Sequence, residues 1–202
     1  MPRSDTPSSR AVEPLASRAA SPESAPAAGQ AAGHLAGPAI RPAPALVLRD
    51  PQPGDMGWVV HRQALLYWHE YGWGVGFEAL VAGIVARFVQ GFDATRERCW
   101  IAEIDGRIVG SVFLVRESDE EGKLRLLYVE AETRGLGVGA RLVDACIAEA
   151  RTKGYRRLTL WTNDVLAAAR RIYQTRGFRL VREEAHRSFG HELTGQYWKL
   201  DL

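Results

Sequence analysis

At 202 residues, with 46% hydrophobic and 25% charged side chains, the chain has room for one ordinary globular domain and a tail. A net charge of +2 argues against nucleic acid or an anionic membrane as partner, and no run reaches the roughly 20 apolar residues of a membrane helix. Cys99 and Cys146 lie far apart inside apolar patterns, which suggests neither a metal site nor a disulfide framework and suits a cytoplasmic protein. Residues 1–43 are mostly Ala, Pro, Ser and Gly, with no aromatic side chain, too little apolar surface to offset their ordering entropy. They are expected to be a disordered tail. They hold no apolar core of a secretory signal, and Asp5, Glu13, Glu23 and the prolines argue against a transit peptide. Residues 44–202 are expected to form the domain.

Ala45–Asp50 (ALVLRD) reads as a first strand, ended by Pro51 and Pro53. From Asp55 to Tyr71 the apolar residues recur at helical spacing until Gly72, Gly74 and Gly76. A second helix carries Phe77, Leu80, Val81, Ile84 and Phe88 on one face. Two β-rich runs, Arg98–Ile104 and Arg107–Val115, flank Asp105-Gly106, a strong hairpin signal, and Lys123–Glu130 adds a third strand. A helix with Val138, Leu142, Val143, Cys146, Ile147 and Ala150 as its stripe ends at Gly154. Arg156–Thr162 is a strand. A helix from about Asn163 to Arg176, capped by Asn163 or Asp164, precedes closing strands over Phe178–Glu184 and Gly195–Leu202. This order predicts an α+β fold: a mixed, mostly antiparallel sheet flanked by about four helices, with one crossover between parallel strands.

The strand-to-helix junction Thr133–Leu142 reads TRGLGVGARL. No lysine follows its glycines, so a nucleoside triphosphate loop is excluded. Gly135, Gly137 and Ala140 satisfy a lenient dinucleotide fingerprint. The intervening Ala131–Arg134 and the fewer than 40 residues after Asp164 weigh against that fold. In the remaining reading, successive backbone N–H groups and a helix N-terminus face a pyrophosphate, with glycines permitting close approach. RGLGVG (Arg134–Gly139) resembles the R/Q-x-x-G-x-G/A acetyl-CoA motif of the GNAT superfamily of N-acetyltransferases. AAARRIYQTRGF (Ala167–Phe178) is similar to that family's A-x-x-x-Y-x-x-x-GF segment. The plainer alternatives are a tight turn and a core aromatic. Val59–Ala82, Arg96–Val115 and Ser188–Leu202 further resemble the acetyltransferase half of bacterial fusions with a MarR-type winged-helix domain. The tail is too short and too poor in apolar residues for that domain, so DNA binding is not expected here.

The resemblance implies acetyl transfer from acetyl-CoA, as co-substrate and without a metal, to a small-molecule amine or a protein amino group. It implies that a splayed strand offers its backbone at Leu127, Tyr128 and Val129 to the pantetheine arm and an N–H to the developing oxyanion. It places Arg134, Gly135, Leu136, Gly137, Val138, Gly139 and Ala140 at the pyrophosphate. Tyr173 falls at the family's general acid for the CoA thiolate. Asn163 is either a contact to the CoA arm or a helix cap. The attacking amine needs a base or water relay, for which Glu103, His69, Glu70, Tyr71, His191 and Glu192 are candidates. Tyr67, Trp68, Tyr71 and Trp73 form either an aromatic-walled acceptor pocket, joined by Glu70 and His191, or core and subunit interface, so a homodimer stays open. A non-catalytic acyl-CoA-binding sensor is the alternative from another class.

Overall fold

The computed structural model describes residues 45–202, and the tail expected over 1–43 lies outside the described residues. Strand β1 (Leu46–Arg49) leads into helices α1 (Asp55–Tyr71) and α2 (Val75–Gly91). A meander of β2 (Arg98–Ile104), β3 (Arg107–Arg116) and β4 (Glu121–Val129) follows. Helix α3 (Val138–Thr152) crosses to β5 (Arg157–Asn163), and α4 (Ala167–Thr175) precedes β6 (Arg179–Ser188) and β7 (His191–Asp201). The strands form one sheet in the order β1-β2-β3-β4-β5-β7-β6, in which only the β4–β5 pair is parallel.

Strand alternation sorts the side chains into two cores. Cys99, Ile101 and Phe113 turn to one face, under α1 and α2, where Val59, Val81 and Phe88 meet them. Trp100, Ala102, Val112 and Leu114 turn to the other, where Leu142, Val143, Cys146 and Tyr173 of α3 and α4 cover them. Helix α1 begins with Asp55, whose carboxylate accepts the Gln52 N–H at 2.6 Å and the Arg49 guanidinium at 2.6 Å. Arg49 also reaches Glu103 of β2 at 2.7 Å, so one arginine ties the short β1 to two neighbours. At its other end Gly72 and Trp73 return their N–H groups to Trp68 and Tyr67 carbonyls, closing the helix.

The sheet is incomplete in the middle. β4 pairs β5 only from Glu121↔Arg157 to Leu124↔Leu160. β4 continues against β3 to Val129↔Gly110, and β5 against β7 to Asn163↔Gly195. The cause is a bulge: Ser111 faces Tyr128 and Phe113 faces Arg125, so β4 carries one extra residue over that step. Leu126 takes up the extra length at φ +50°, and the buried Ser111 hydroxyl donates to its carbonyl at 3.3 Å. Past the bulge β4 and β5 diverge and leave a split.

Two expectations are corrected. The last helix starts at Ala167, because β5 runs on through Asn163 and the Asp164 N–H bonds the Thr194 carbonyl of β7. Asn163 is therefore a strand residue, and neither it nor Asp164 caps α4. The closing strands are also longer than expected. They form a hairpin around Phe189-Gly190, at φ +56° and +87°, much like the expected Asp105-Gly106 turn at +51° and +73°.

Candidate active site

The split opens into two cavities that share Tyr67, Leu127, Leu166 and Ala169. The first, about 630 Å3, runs between β4, the glycine loop and α4. Leu127 and Val129 supply one wall, while Tyr128, one residue out of phase, buries its ring edge-on against Trp58 of α1. Gly135 and Gly137 stand at φ +85° and +79°, the left-handed region that a side chain resists. Gly137 is the N-cap of α3, so the first-turn N–H groups of Val138, Gly139 and Ala140 have no intrahelical acceptor. The Leu136 N–H is engaged in the turn, on the Thr133 carbonyl at 3.3 Å. Gly139 is small for a different reason: a Cβ there would stand 2.8 Å from Ile172 Cδ1 and 3.3 Å from Val129 Cγ2. It lets α3 lie close on α4 and β4.

Charge around the loop is organised in pairs. Arg62 of α1 grips Glu130, just past β4, with two bonds of 2.6 and 2.7 Å. Arg134 Nη2 meets Glu70 Oε1 at 2.7 Å, across the mouth of the cavity that Tyr67 and Tyr71 also border. Burial works against the Arg134 charge, and Glu70 more than offsets it, holding the guanidinium above its ordinary pKa.

These features coincide with a match of the Acetyltransferase (GNAT) family profile to residues 61–178, more than half of the chain. The chain belongs to the GNAT family. Among GNAT relatives, the probable N-acetyltransferase camello of Xenopus tropicalis is 34% identical over 97 residues, 47% of this chain and 44% of that protein. An uncharacterized N-acetyltransferase of Mycobacterium tuberculosis is 34% identical over 95 residues, 47% of this chain and 61% of that one. The chain thus spans about half the length of the curated relatives it matches. Among solved GNAT structures, the acetyltransferase yncA of Salmonella typhimurium, determined with acetyl-CoA, superposes with a TM-score of 0.61 at 20% identity. That match covers 77% of this chain and 93% of yncA, and shows that the fold is the GNAT fold.

The second cavity, about 430 Å3, lies on the α1–α2 side of the GNAT split. Tyr173 lines it from α4, with its ring 5.8 Å from Phe178. Burial, with Tyr67 and Cys146 nearby, pushes the Tyr173 hydroxyl well above an ordinary phenol. Asn163 lines the same cavity. Its Oδ1 can only accept, so His186 Nε2 donates to it at 2.9 Å, and His186 Nδ1 then accepts from the Ser188 hydroxyl at 2.9 Å.

The aromatic residues are divided. Tyr67 stacks on Trp73 at 5.0 Å, and Trp73, Phe77 and Phe189 interlock at 5.0 to 5.3 Å. Trp68 points outward on the far side of α1. This cluster is both core and cavity wall. Of the base candidates, Glu103 belongs to the Arg49 network at the β1 edge, and Glu70 to Arg134. His191 Nε2 donates to the Gly72 carbonyl at 3.4 Å, outside both cavities. Among the described residues no group of three His, Cys, Asp or Glu is placed to hold a metal, and no helix is long and apolar enough to cross a membrane.

Sequence reasoning passed over Gln63 and Arg125. Arg125 had a visible signal, a charge at mid-strand in Lys123–Glu130, where the neighbours are buried on one face and half-buried on the other. Gln63 had none beyond its helical spacing from Val59 and Tyr67.

Proposed function

We propose that the chain transfers an acetyl group from acetyl-CoA to a primary amine by direct attack on the thioester. The observation that carries this reading is the split between β4 and β5, with unpaired N–H groups at one end and a buried tyrosine on its floor. The fit to acetyl-CoA is chemical. Val138, Gly139 and Ala140 present N–H donors at a helix N-terminus for the pyrophosphate, beside Gly135, Leu136 and Gly137 of the same loop. Arg134 adds positive charge once it shares or leaves Glu70. Leu127 and Val129 offer an apolar wall, and the backbone of Leu127, Tyr128 and Val129, free of β5, offers the pantetheine its missing ladder.

The amine enters from the Gln63–Trp73 side and its nitrogen attacks the carbonyl carbon. The C–N bond forms, the C–S bond breaks, and a backbone N–H of the splayed strand stabilises the oxygen charge. Tyr173 gives its proton to the departing thiolate, and the amine proton leaves through water. Asn163, oriented by His186, is a polar contact at the same split. Tyr67, Tyr71 and Trp73 shape the acceptor entrance, with Glu70 and His191 at its rim. The acetyl-CoA bound to yncA, on the same fold, supports the ligand. We read the protein further as bacterial and cytoplasmic, as kin to the acetyltransferase half of MarR-type fusions through the three segments that resemble it, and as able to form a homodimer.

The test is a thermal-shift panel on the full chain with acetyl-CoA, CoA, NAD, NADP and ATP, followed by thiol release with amines. A native-state ligand at a hundredfold excess over Kd stabilises by about 2.7 kcal/mol. Stabilisation by acetyl-CoA and CoA alone, with amine-dependent thiol release, is the expected result. A response to NAD or NADP instead would overturn the reading, and binding without thiol release would make the protein a sensor.

A further inference from the structure

The cavity on the α1–α2 side contains charge that acetyl transfer to a simple amine does not use. Its volume, about 430 Å3, is that of a small-molecule site. Two of the ionised side chains that line it are already paired. Lys123 Nζ is bound by Glu117 at 3.0 Å, and the Glu184 carboxylate is shared between Arg182 and the Tyr197 hydroxyl, each at 2.9 Å. Arg125 is not. It is half-buried on β4 just before the bulge, and among the described residues it makes no ion pair or hydrogen bond. Burial, and the like charge of Arg87 on α2, work against its protonated form. Glu117, already bound by Lys123, is the carboxylate that favours the charge, and a guanidinium stays charged in a protein regardless, so the site holds a cation with no direct partner.

A second, independent observation points the same way. Gln63 of α1 lines this cavity, is 2% exposed, and its Nε2 has no hydrogen-bond partner among the described residues. A buried donor without a partner is costly, and few such atoms persist in a folded protein without a reason. Both groups are donors, and an ammonium, itself a donor, can satisfy neither. A carboxylate is the group that suits both: its oxygens match the guanidinium fork and can accept from the amide once Gln63 turns its Nε2 to the cavity. The backbone around an acylated lysine of a protein would bring no such charge.

Resting on the acetyl-transfer reading above, we propose that the acceptor is a small aminocarboxylate, whose carboxylate is held by Arg125 and Gln63 while its amine is presented to the split. Tyr67, Trp73 and Phe77 line the same cavity and give its side chain an apolar wall.

The experiment compares each common amino acid with its decarboxylated amine, and γ-aminobutyrate with butylamine, by thiol release from acetyl-CoA and by calorimetric titration into the protein–CoA complex. For the preferred acceptor, the carboxylated member should lead its partner by at least about tenfold in kcat/KM, the scale of a charge-assisted bond. Arg125→Met should remove that lead while leaving turnover of the plain amine within about twofold, and Arg125→Lys should restore part of it. The melting temperature and acetyl-CoA affinity of each variant serve as folding controls. Equal use of both members, a preference for the plain amine, or an Arg125→Met loss common to both would overturn the proposal. If no amine of either kind releases thiol, the enzyme reading falls. The calorimetric arm still decides the subsite: Arg125-dependent binding of aminocarboxylates upholds it, and its absence sinks it.

Discussion

Tyr173 and Phe differ by one hydroxyl, and the Tyr173 ring keeps its packing on Phe178 in either case. Tyr173→Phe should therefore leave the melting temperature and acetyl-CoA affinity nearly unchanged while lowering kcat by about a hundredfold or more, the usual worth of a positioned acid. Stopped-flow or steady-state thiol release checks it, and an unchanged kcat removes the role. The pKa shift adds a pH signature. Burial disfavours the phenolate, so Tyr173 stays a proton donor beyond the range where a free phenol titrates. The kcat profile should rise as the acceptor loses its proton and show no falling limb up to about pH 10. Glu70 offers a contrasting test, since it holds Arg134, and in the function we propose it would compete there with the pyrophosphate. Glu70→Gln should tighten acetyl-CoA by about two- to fivefold at low salt, fading as salt screens the pair, with kcat unchanged. A large fall in kcat would instead make Glu70 the base.

The elements around the split are held by close approach and by ion pairs, and the two fail differently. A Cβ at Gly110 of β3 would stand 2.6 Å from the Tyr128 carbonyl oxygen, whereas one at Gly139 meets the flexible tip of Ile172. Gly110→Ala must displace backbone, so it should cost about 3 kcal/mol against about 1 for Gly139→Ala, read from denaturant midpoints. At the sheet edge, burial alone would raise the Asp55 carboxyl, but Arg49 and the Gln52 N–H outweigh it and hold it below its ordinary value. A carboxyl depressed in the folded state contributes stability above its unfolded pKa, near 4, and loses it as pH falls through the folded value. Asp55→Asn should thus be less stable at neutral pH by about 1–3 kcal/mol and less sensitive to acid below about pH 4. Equal acid sensitivity in the two proteins would remove Asp55 from the account. Local pattern made several of these elements legible beforehand. α1 and β2 keep the bounds that the sequence predicts, α1 because its apolar side recurs at helical spacing, β2 because its apolar run, buried on both faces, ends at Asp105-Gly106. The α4 start and the β6–β7 hairpin were not legible. Asn163 is kept in a strand by β7, some thirty positions on, and Phe189 adopts a turn conformation that its residue type does not advertise.

For the whole molecule, the fold and the glycine turn that opens α3 were readable because they rest on order and spacing. The acceptor chemistry was not, since it depends on which side chains a bulge brings together. Nothing local in Gln63 or Arg125 foretells that α1 and β4 set them in one cavity. The same bulge has a dynamic consequence. Beyond Leu124 the sheet continues as two half-sheets that exchange no rungs, and in the function we propose a ligand lying in the split would take the place of the missing strand partner. The substrate is then also a piece of the scaffold. Amide protons of Leu127–Val129 that turn away from β3 should trade with solvent quickly in the free protein and slowly once CoA is bound, while those of β2 stay protected throughout.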